Sequence, residues 1–202
     1  MSLQISLLSS LQFLSERQEL REYFDPRWHE VLAPHRVNLV SRFCHREERL
    51  ALVSDSSLVI LPGGGDLSVI SNAEHEIKRD ETDLEVLKHC SQNQISILGI
   101  CRGAQFLNSH FEGELVDLAG HVGVSHTVRT ERAQFEVNSF HDRAISKGSL
   151  ASSFHAVAIH EESQSVEAFS TDDGQVLGIL WHPERVGVSD LAQDFFREFA
   201  GI

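Results

Sequence analysis

The sequence predicts an α/β fold: a mostly parallel central sheet, helices on both faces, and a smaller antiparallel section. Three observations predict it. Strand and helix signals alternate over the first half of the chain, which implies parallel strands joined by helical crossovers. At Ile95–Asn108, ISILGICRGAQFLN, an apolar run meets a glycine-flanked turn and then a helical pattern. The second half instead carries short β runs separated by turn residues, notably Asp172-Asp173-Gly174.

Taken in order, Leu3 to Leu14 is moderately apolar but interrupted by Gln4, Ser6, Ser9, Ser10 and Gln12. It reads as a first core strand and the turn after it; it lacks a basic leader and is too short to cross a bilayer. Asp25-Pro26 is a helix start, an acid before a proline, and the helix should pass Trp28, Val31 and Leu32 and stop near Pro34. Val37 to Val40 and Leu58 to Leu61 are strands, the latter running into Pro62-Gly63-Gly64-Gly65-Asp66. Ser71 with Glu74 forms a capping box for a helix reaching Cys90. Later β runs are Glu136 to Asn138, Ala156 to Ile159, Val166 to Phe169 and Val176 to Leu180. Asp190 to Phe199 is an amphipathic helix with Leu191, Phe195, Phe196 and Phe199 on its apolar side. No repeat, low-complexity tract or linker divides the chain, so residues 1–202 are expected to form one domain.

Composition excludes several function classes. A net charge of −13 with no basic run argues against a nucleic acid polymer or an anionic membrane as partner. Cys44, Cys90 and Cys101 are too few and scattered for a disulfide framework, and none forms a CxxC pair. A reducing cytoplasm fits that usage. The 12 histidines show no metal-ligand spacing such as HExxH, and no metal or organic cofactor is expected.

Gly99-Ile100-Cys101-Arg102-Gly103 has the spacing of a nucleophile elbow, with cysteine as the nucleophile. The glycines allow a sharp turn and close approach of substrate, and the following helix directs its N–H groups at the sulfur, favouring thiolate. A cysteine nucleophile needs a base, and the base needs an orienting group. Trp181-His182-Pro183-Glu184 supplies both: His182 as base and Glu184 as orienter, on the sheet rim where ligands of open α/β sheets collect. The glycine loop at 62–65 offers a backbone N–H to an oxyanion, with Gly64 as the chosen donor and the Arg102 amide as the second. A phosphate loop is the alternative, but no Gly-Lys-Ser/Thr ends it.

LPGGGD, GICRGAQ, VNSFH and WHPE, in this order, resemble the class I glutamine amidotransferase family, over most of the chain. Within it, the CRG-x-Q elbow resembles the stand-alone branch that hydrolyses γ-glutamyl amides. GGGDL, Lys78-Arg79-Asp80, GHVGVSH and SVEAF…GILWHPER resemble, more narrowly, hydrolases of γ-glutamyl-CDP-amidate in bacterial capsule phosphoramidate synthesis. The resemblance implies a Cys-His-Glu triad of Cys101, His182 and Glu184, with a thioester intermediate. It implies that Gln105 contacts the α-amino and α-carboxylate end of the glutamyl group, and that Ser139 and His141 border that pocket. Ser139 and His141 also fit a plain turn before a helix. Relatives often continue this segment with His-Gln; here it continues Asp142-Arg143, which leaves the leaving group open. If that group carries a pyrophosphate, Arg143 and Arg185 are the chosen cations, unless they pair with surface acids. His121 and His126 either shape the leaving-group side or sit exposed on a β-turn. The implied partner is a small γ-glutamyl substrate, with a homodimer allowed. The alternative is a glutaminase subunit that hands ammonia to a synthase partner.

Overall fold

The computed structural model describes residues 2–202. The chain begins with β1 (Gln4–Leu8), followed by a hairpin of β2 (Ser10–Leu14) and β3 (Glu19–Tyr23). A single-turn α1 (Trp28–Val31) leads to β4 (Arg36–Val40), α2 (Arg46–Ser54) and β5 (Leu58–Leu61). Short α3 (Ser68–Ser71) and long α4 (Glu74–Asn93) precede β6 (Ser96–Ile100) and α5 (Arg102–His110). Then come β7 (Val116–Asp117), β8 (Val122–Arg129), β9 (Gln134–Phe140) and β10 (Arg143–Ala144). β11 (His155–His160), β12 (Val166–Ser170), β13 (Val176–Ile179) and α6 (Asp190–Ala200) follow.

A sheet of nine strands has the order β4-β1-β5-β6-β13-β12-β11-β8-β9. The first five are parallel and the remaining pairings antiparallel, so the fold class is the one predicted. The period-2 alternation of strand side chains sorts the core onto two faces. Ile5, Leu7, Leu58, Ile60, Leu98 and Ile100 point to the face covered by Trp28 and by Phe196 of α6. Leu8, Val59, Leu61 and Ile97 point to the other face, covered by Val53, Val86, Leu87 and Leu107 of α2, α4 and α5. Burial on both faces is why LVIL and SILGI read as nearly unbroken apolar runs. Among the described residues no helix is long and apolar enough to cross a membrane.

Several local expectations are corrected. The turn read after the first strand within Leu3–Leu14 is instead a second strand: β1 ends at Leu8, and Ser10–Leu14 pairs with Glu19–Tyr23 as a hairpin. β3 is ELREY, charged and largely exposed, so burial leaves no pattern in it. The helix at Asp25-Pro26 is one turn long; Asp25 accepts from the Arg27 amide at 3.0 Å ahead of it. The Ser71–Glu74 capping box does not form. Ser71 ends α3, Asn72 turns left-handed at φ 51°, and Ala73 caps α4 without a side-chain bond. That helix also runs past Cys90 to Asn93. Leu191 faces solvent, 59% exposed, while Phe196 takes the core position of α6.

Candidate active site

β6 delivers Cys101 to the rim of the sheet at φ 49° and ψ −104°, a strained conformation for a residue with a side chain. Its amide donates to the Ile179 carbonyl at 2.7 Å, and its own carbonyl accepts from Gln105 N at 3.0 Å, so strand and helix both hold the elbow. The bend brings α5 directly onto the sheet. A Cβ on Gly103 would fall 2.1 Å from the Leu61 carbonyl oxygen, which leaves glycine as the only fit.

The parallel register sets β13 beside β6, with Ile179 opposite Ile100, so the chain leaving β13 passes the elbow. His182 sits there, 1% exposed. Its Nδ1 donates to Glu184 Oε1 at 2.7 Å. Asn138 of β9 clamps the same residue through its backbone: Oδ1 accepts from His182 N at 2.9 Å, and Nδ2 donates to His182 O at 2.9 Å. Phe140 meets the imidazole edge-on at 5.8 Å between centroids. Burial disfavours an imidazolium here, but the charge and hydrogen bond of Cys101, then those of Glu184, raise the His182 pKa to about 9. Burial likewise raises the Cys101 thiol, and His182 outweighs it, so the net shift is downward. The pair therefore favours thiolate and imidazolium. Cys90, with no such partner, is pushed by burial up to about 12.

The glycine loop after β5 closes the third side. A Cβ built on Gly63 would lie 2.5 Å from His182 Cε1 and 3.4 Å from Cys101 Cβ, and Gly64 follows at φ 90°. One face of α4 fixes this loop and the elbow together. Arg79, 1% exposed, donates to the carbonyls of Pro62 at 2.7 Å and Gly63 at 3.0 Å, and also to that of Gly64. Asp83 and Asp80 receive the buried Arg102 guanidinium, Asp83 at 2.8 Å, and Asp83 also pairs with Arg42.

The family model for class-I glutamine amidotransferases matches residues 35–200. The chain belongs to that family. A γ-glutamyl-CDP-amidate hydrolase of Campylobacter jejuni is 36% identical over 63% of this chain and 62% of that protein. A glutamine amidotransferase-like protein of Lactococcus lactis is 28% identical over 62% of this chain and 65% of that protein. The chain thus spans less than two thirds of the length of either relative. The structure of a GMP synthase subunit from Thermoplasma acidophilum superposes with a TM-score of 0.73 at 19% identity, covering 100% of this chain and 94% of that one. A glutamine amidotransferase of Thermotoga maritima gives 0.64 at 15% identity, covering 98% and 82%. These two share the fold.

The remaining predicted residues fall into two groups. Gln105, Ser139 and His141 are buried and hold one wall together. Gln105 Nε2 donates to the Arg143 carbonyl at 2.9 Å, Ser139 Oγ to the His121 carbonyl at 2.6 Å, and His141 Nδ1 to the Arg143 carbonyl at 3.1 Å. Ser139 lies within β9 and no helix follows it, which corrects the turn-before-helix alternative. The two arginines differ. Arg143 pairs with Asp117, a surface acid. Arg185 stacks over Phe140 at 4.7 Å, with Nε 3.8 Å from Glu184 Oε1, and so remains beside the site.

The exposed β-turn considered for His121 and His126 is also corrected. His121 is 7% exposed and leads into β8, the longest strand of the antiparallel half, on which His126 lies. They gather with His141, His160 and Glu167, and among the described residues these are the groups placed to hold a metal. Sequence reasoning missed α2 and β8 as elements, and Asn138 and Arg79 as residues that hold the site. Asn138 and Arg79 do lie inside the quoted VNSFH and Lys78-Arg79-Asp80 segments.

Proposed function

We propose that this amidotransferase hydrolyses a γ-glutamyl amide with Cys101 as nucleophile, His182 as acid and base, and Glu184 as orienter. The observation that carries the reading is the 2.7 Å bond from His182 Nδ1 to Glu184 Oε1, on the strand end that runs beside the Cys101 elbow. Thiolate attacks the δ-carbonyl and forms the C–S bond, and the carbonyl π-electrons move to oxygen. The amides of Gly64 and Arg102 are the proposed donors to that oxyanion. Collapse breaks the C–N bond as His182 protonates the departing amine, leaving a γ-glutamyl thioester. His182, now neutral, takes a proton from water. Hydroxide adds to the thioester, sulfur leaves as thiolate, and glutamate is released. Glu184 keeps Nδ1 protonated throughout, so Nε2 faces the reaction.

For the substrate, the Campylobacter relative and Arg185 beside the site support a γ-glutamyl nucleotide amidate, with Gln105, Ser139 and His141 forming the glutamyl wall. This reading includes a single domain, a cytoplasmic setting that suits the three free cysteines, and turnover without a synthase partner. The test is the purified chain alone with γ-glutamyl-CDP-amidate, glutamine and a γ-glutamyl anilide. Glutamate release with a glutamyl adduct on Cys101 during turnover is expected, and both should vanish in Cys101→Ser. Silence until a synthase is added would favour the alternative, a glutaminase that works as one subunit of a larger enzyme. An adduct on Cys44 or Cys90 would overturn the assignment.

A further inference from the structure

Four of the chain's 12 histidines meet in space although none are neighbours in sequence. His121 precedes β8, His126 lies within it, His141 follows β9 and His160 ends β11. The sheet order β12-β11-β8-β9 gathers them. Ring centroids of His121 lie 4.9 Å from His126, 5.2 Å from His160 and 5.6 Å from His141, and His126 lies 4.4 Å from His160. Glu167 of β12 completes the group, with Oε2 3.5 Å from His126 Nε2 and 3.7 Å from His141 Nε2.

The cluster is interior. Glu167 is 0% exposed, His141 4%, His121 7% and His160 9%. Buried polar atoms ordinarily find partners. Here His121 Nδ1, both nitrogens of His126, His141 Nε2 and Glu167 Oε2 make no hydrogen bond. Three groups of the cluster, Glu167, His160 and His141, are engaged through another atom. Glu167 Oε1 accepts from Ser165 Oγ at 2.6 Å, His160 Nδ1 bonds Ser163 Oγ at 2.7 Å, and His141 Nδ1 donates to the Arg143 carbonyl. Those outer bonds orient the groups and leave their inner lone pairs converging. A proton shared between Glu167 and His141 would account for one contact and still leave both nitrogens of His126 without a partner.

We propose that this cluster is a binding site for one divalent first-row transition ion, with His121, His126 and His160 as nitrogen donors and Glu167 as oxygen donor. Donor atoms of His121, His126 and His160 lie within 4.8 Å of one another, and so do those of His121, His141 and Glu167. Four donors bound at about 2.1 Å in a tetrahedron lie about 3.4 Å apart. His126 Nε2 and Glu167 Oε2 already stand 3.5 Å apart, and ring rotation brings the other imidazoles in. Imidazole with one carboxylate selects zinc, iron or nickel over magnesium or calcium. The site ties β8, β11 and β12 together beside the wall that carries His141. It stands independently of the proposed reaction.

The test uses the full chain without an affinity tag, stripped with chelator and titrated with Zn²⁺ and with Co²⁺. Expected are one Zn²⁺ per chain retained through gel filtration, a visible d–d band with Co²⁺, and a higher thermal midpoint with either ion. His126→Asn and His160→Asn should each weaken binding by more than the about 10–100-fold that loss of an outer partner costs. His155→Asn, an exposed histidine of the same β11, should bind as wild type does. Circular dichroism of the two ligand variants separates lost donors from lost fold, and the wild-type Co²⁺ spectrum stands without them. No retained Zn²⁺ and no d–d band in the wild type would overturn the site. Retention unchanged in both ligand variants would overturn it equally, placing the ion on surface histidines.

Discussion

Gly63 lies against the His182 imidazole so closely that a Cβ on it would fall 2.5 Å from Cε1. No positive φ is involved, so the constraint is purely one of contact. Gly63→Ala must push the ring away from Cys101 or push the loop away from the ring. A displacement of about 1 Å at a reacting group costs about 100-fold in rate. We expect that loss in kcat/KM, with a thermal midpoint close to wild type. Near-wild-type turnover would show that the loop does not sit against His182 in the working enzyme.

The raised His182 pKa has a sign that stability measurements can check. A group whose folded pKa exceeds its unfolded value of 6.5 contributes stability that is fully present below pH 6.5 and lost as pH rises through about 9. Glu184→Gln removes part of that contribution. The gap in denaturant midpoint between wild type and Glu184→Gln should be largest near pH 6 and shrink through pH 9. A gap that widens over that range contradicts the assignment.

The cysteines should separate in chemical labelling. Cys101 is held low by His182 against its burial, whereas burial alone pushes Cys90 to about 12. With iodoacetamide near pH 7, Cys101 should be alkylated while Cys90 is not. In His182→Ala the Cys101 rate should fall, because burial then loses its main opponent and only the weaker charges of His141 and Arg185 remain. Peptide mapping by mass spectrometry reads both outcomes.

Arg79 holds consecutive carbonyls of the 62–64 loop, and the proposed oxyanion donor belongs to that loop. Lysine keeps the charge but cannot span those carbonyls with a planar fork. Arg79→Lys should lower kcat by about 10–100-fold, short of the roughly 10²–10³ lost with a whole donor, and leave KM little changed. A fall in thermal midpoint with normal kcat would mean that Arg79 supports folding only.

The two rim arginines should part company. Arg185 lies beside Phe140 and Glu184, while Arg143 is taken up by Asp117. Arg185→Ala should lower kcat/KM for a γ-glutamyl nucleotide amidate by about 10–100-fold, the size of one charge-assisted phosphate contact, and spare a γ-glutamyl anilide. Arg143→Ala should change neither. Equal losses on both substrates with Arg185→Ala would assign that residue to positioning Glu184.

What the sequence made legible follows from where burial leaves a pattern. LVIL, SILGI and the glycine-flanked cysteine lie in the doubly covered parallel half, where apolar runs and a forced turn announce themselves. β3 and β8 carry ELREY and VGVSHTVR, with much of each strand exposed, and the alternation is diluted. The Ser71 cap failed because a left-handed Asn72 intervenes, a backbone choice that composition does not display. The histidine cluster was invisible for another reason: its members come from separate strands, so their spacing along the chain says nothing. Arg79 and Asn138 act on backbone atoms, and a residue's grip on a distant peptide leaves no local trace.

α4 gives the site a common ruler. The loop that faces the sulfur hangs from Arg79, and the residue after the sulfur is anchored to Asp80 and Asp83, within about one turn of the same helix. The spacing between loop and nucleophile is therefore inherited from a helical repeat and not from two independently wandering segments. Sliding α4 along the sheet would carry both anchors together and preserve their separation. Lifting it off would release both at once, so disarray at this site should arrive as a single event.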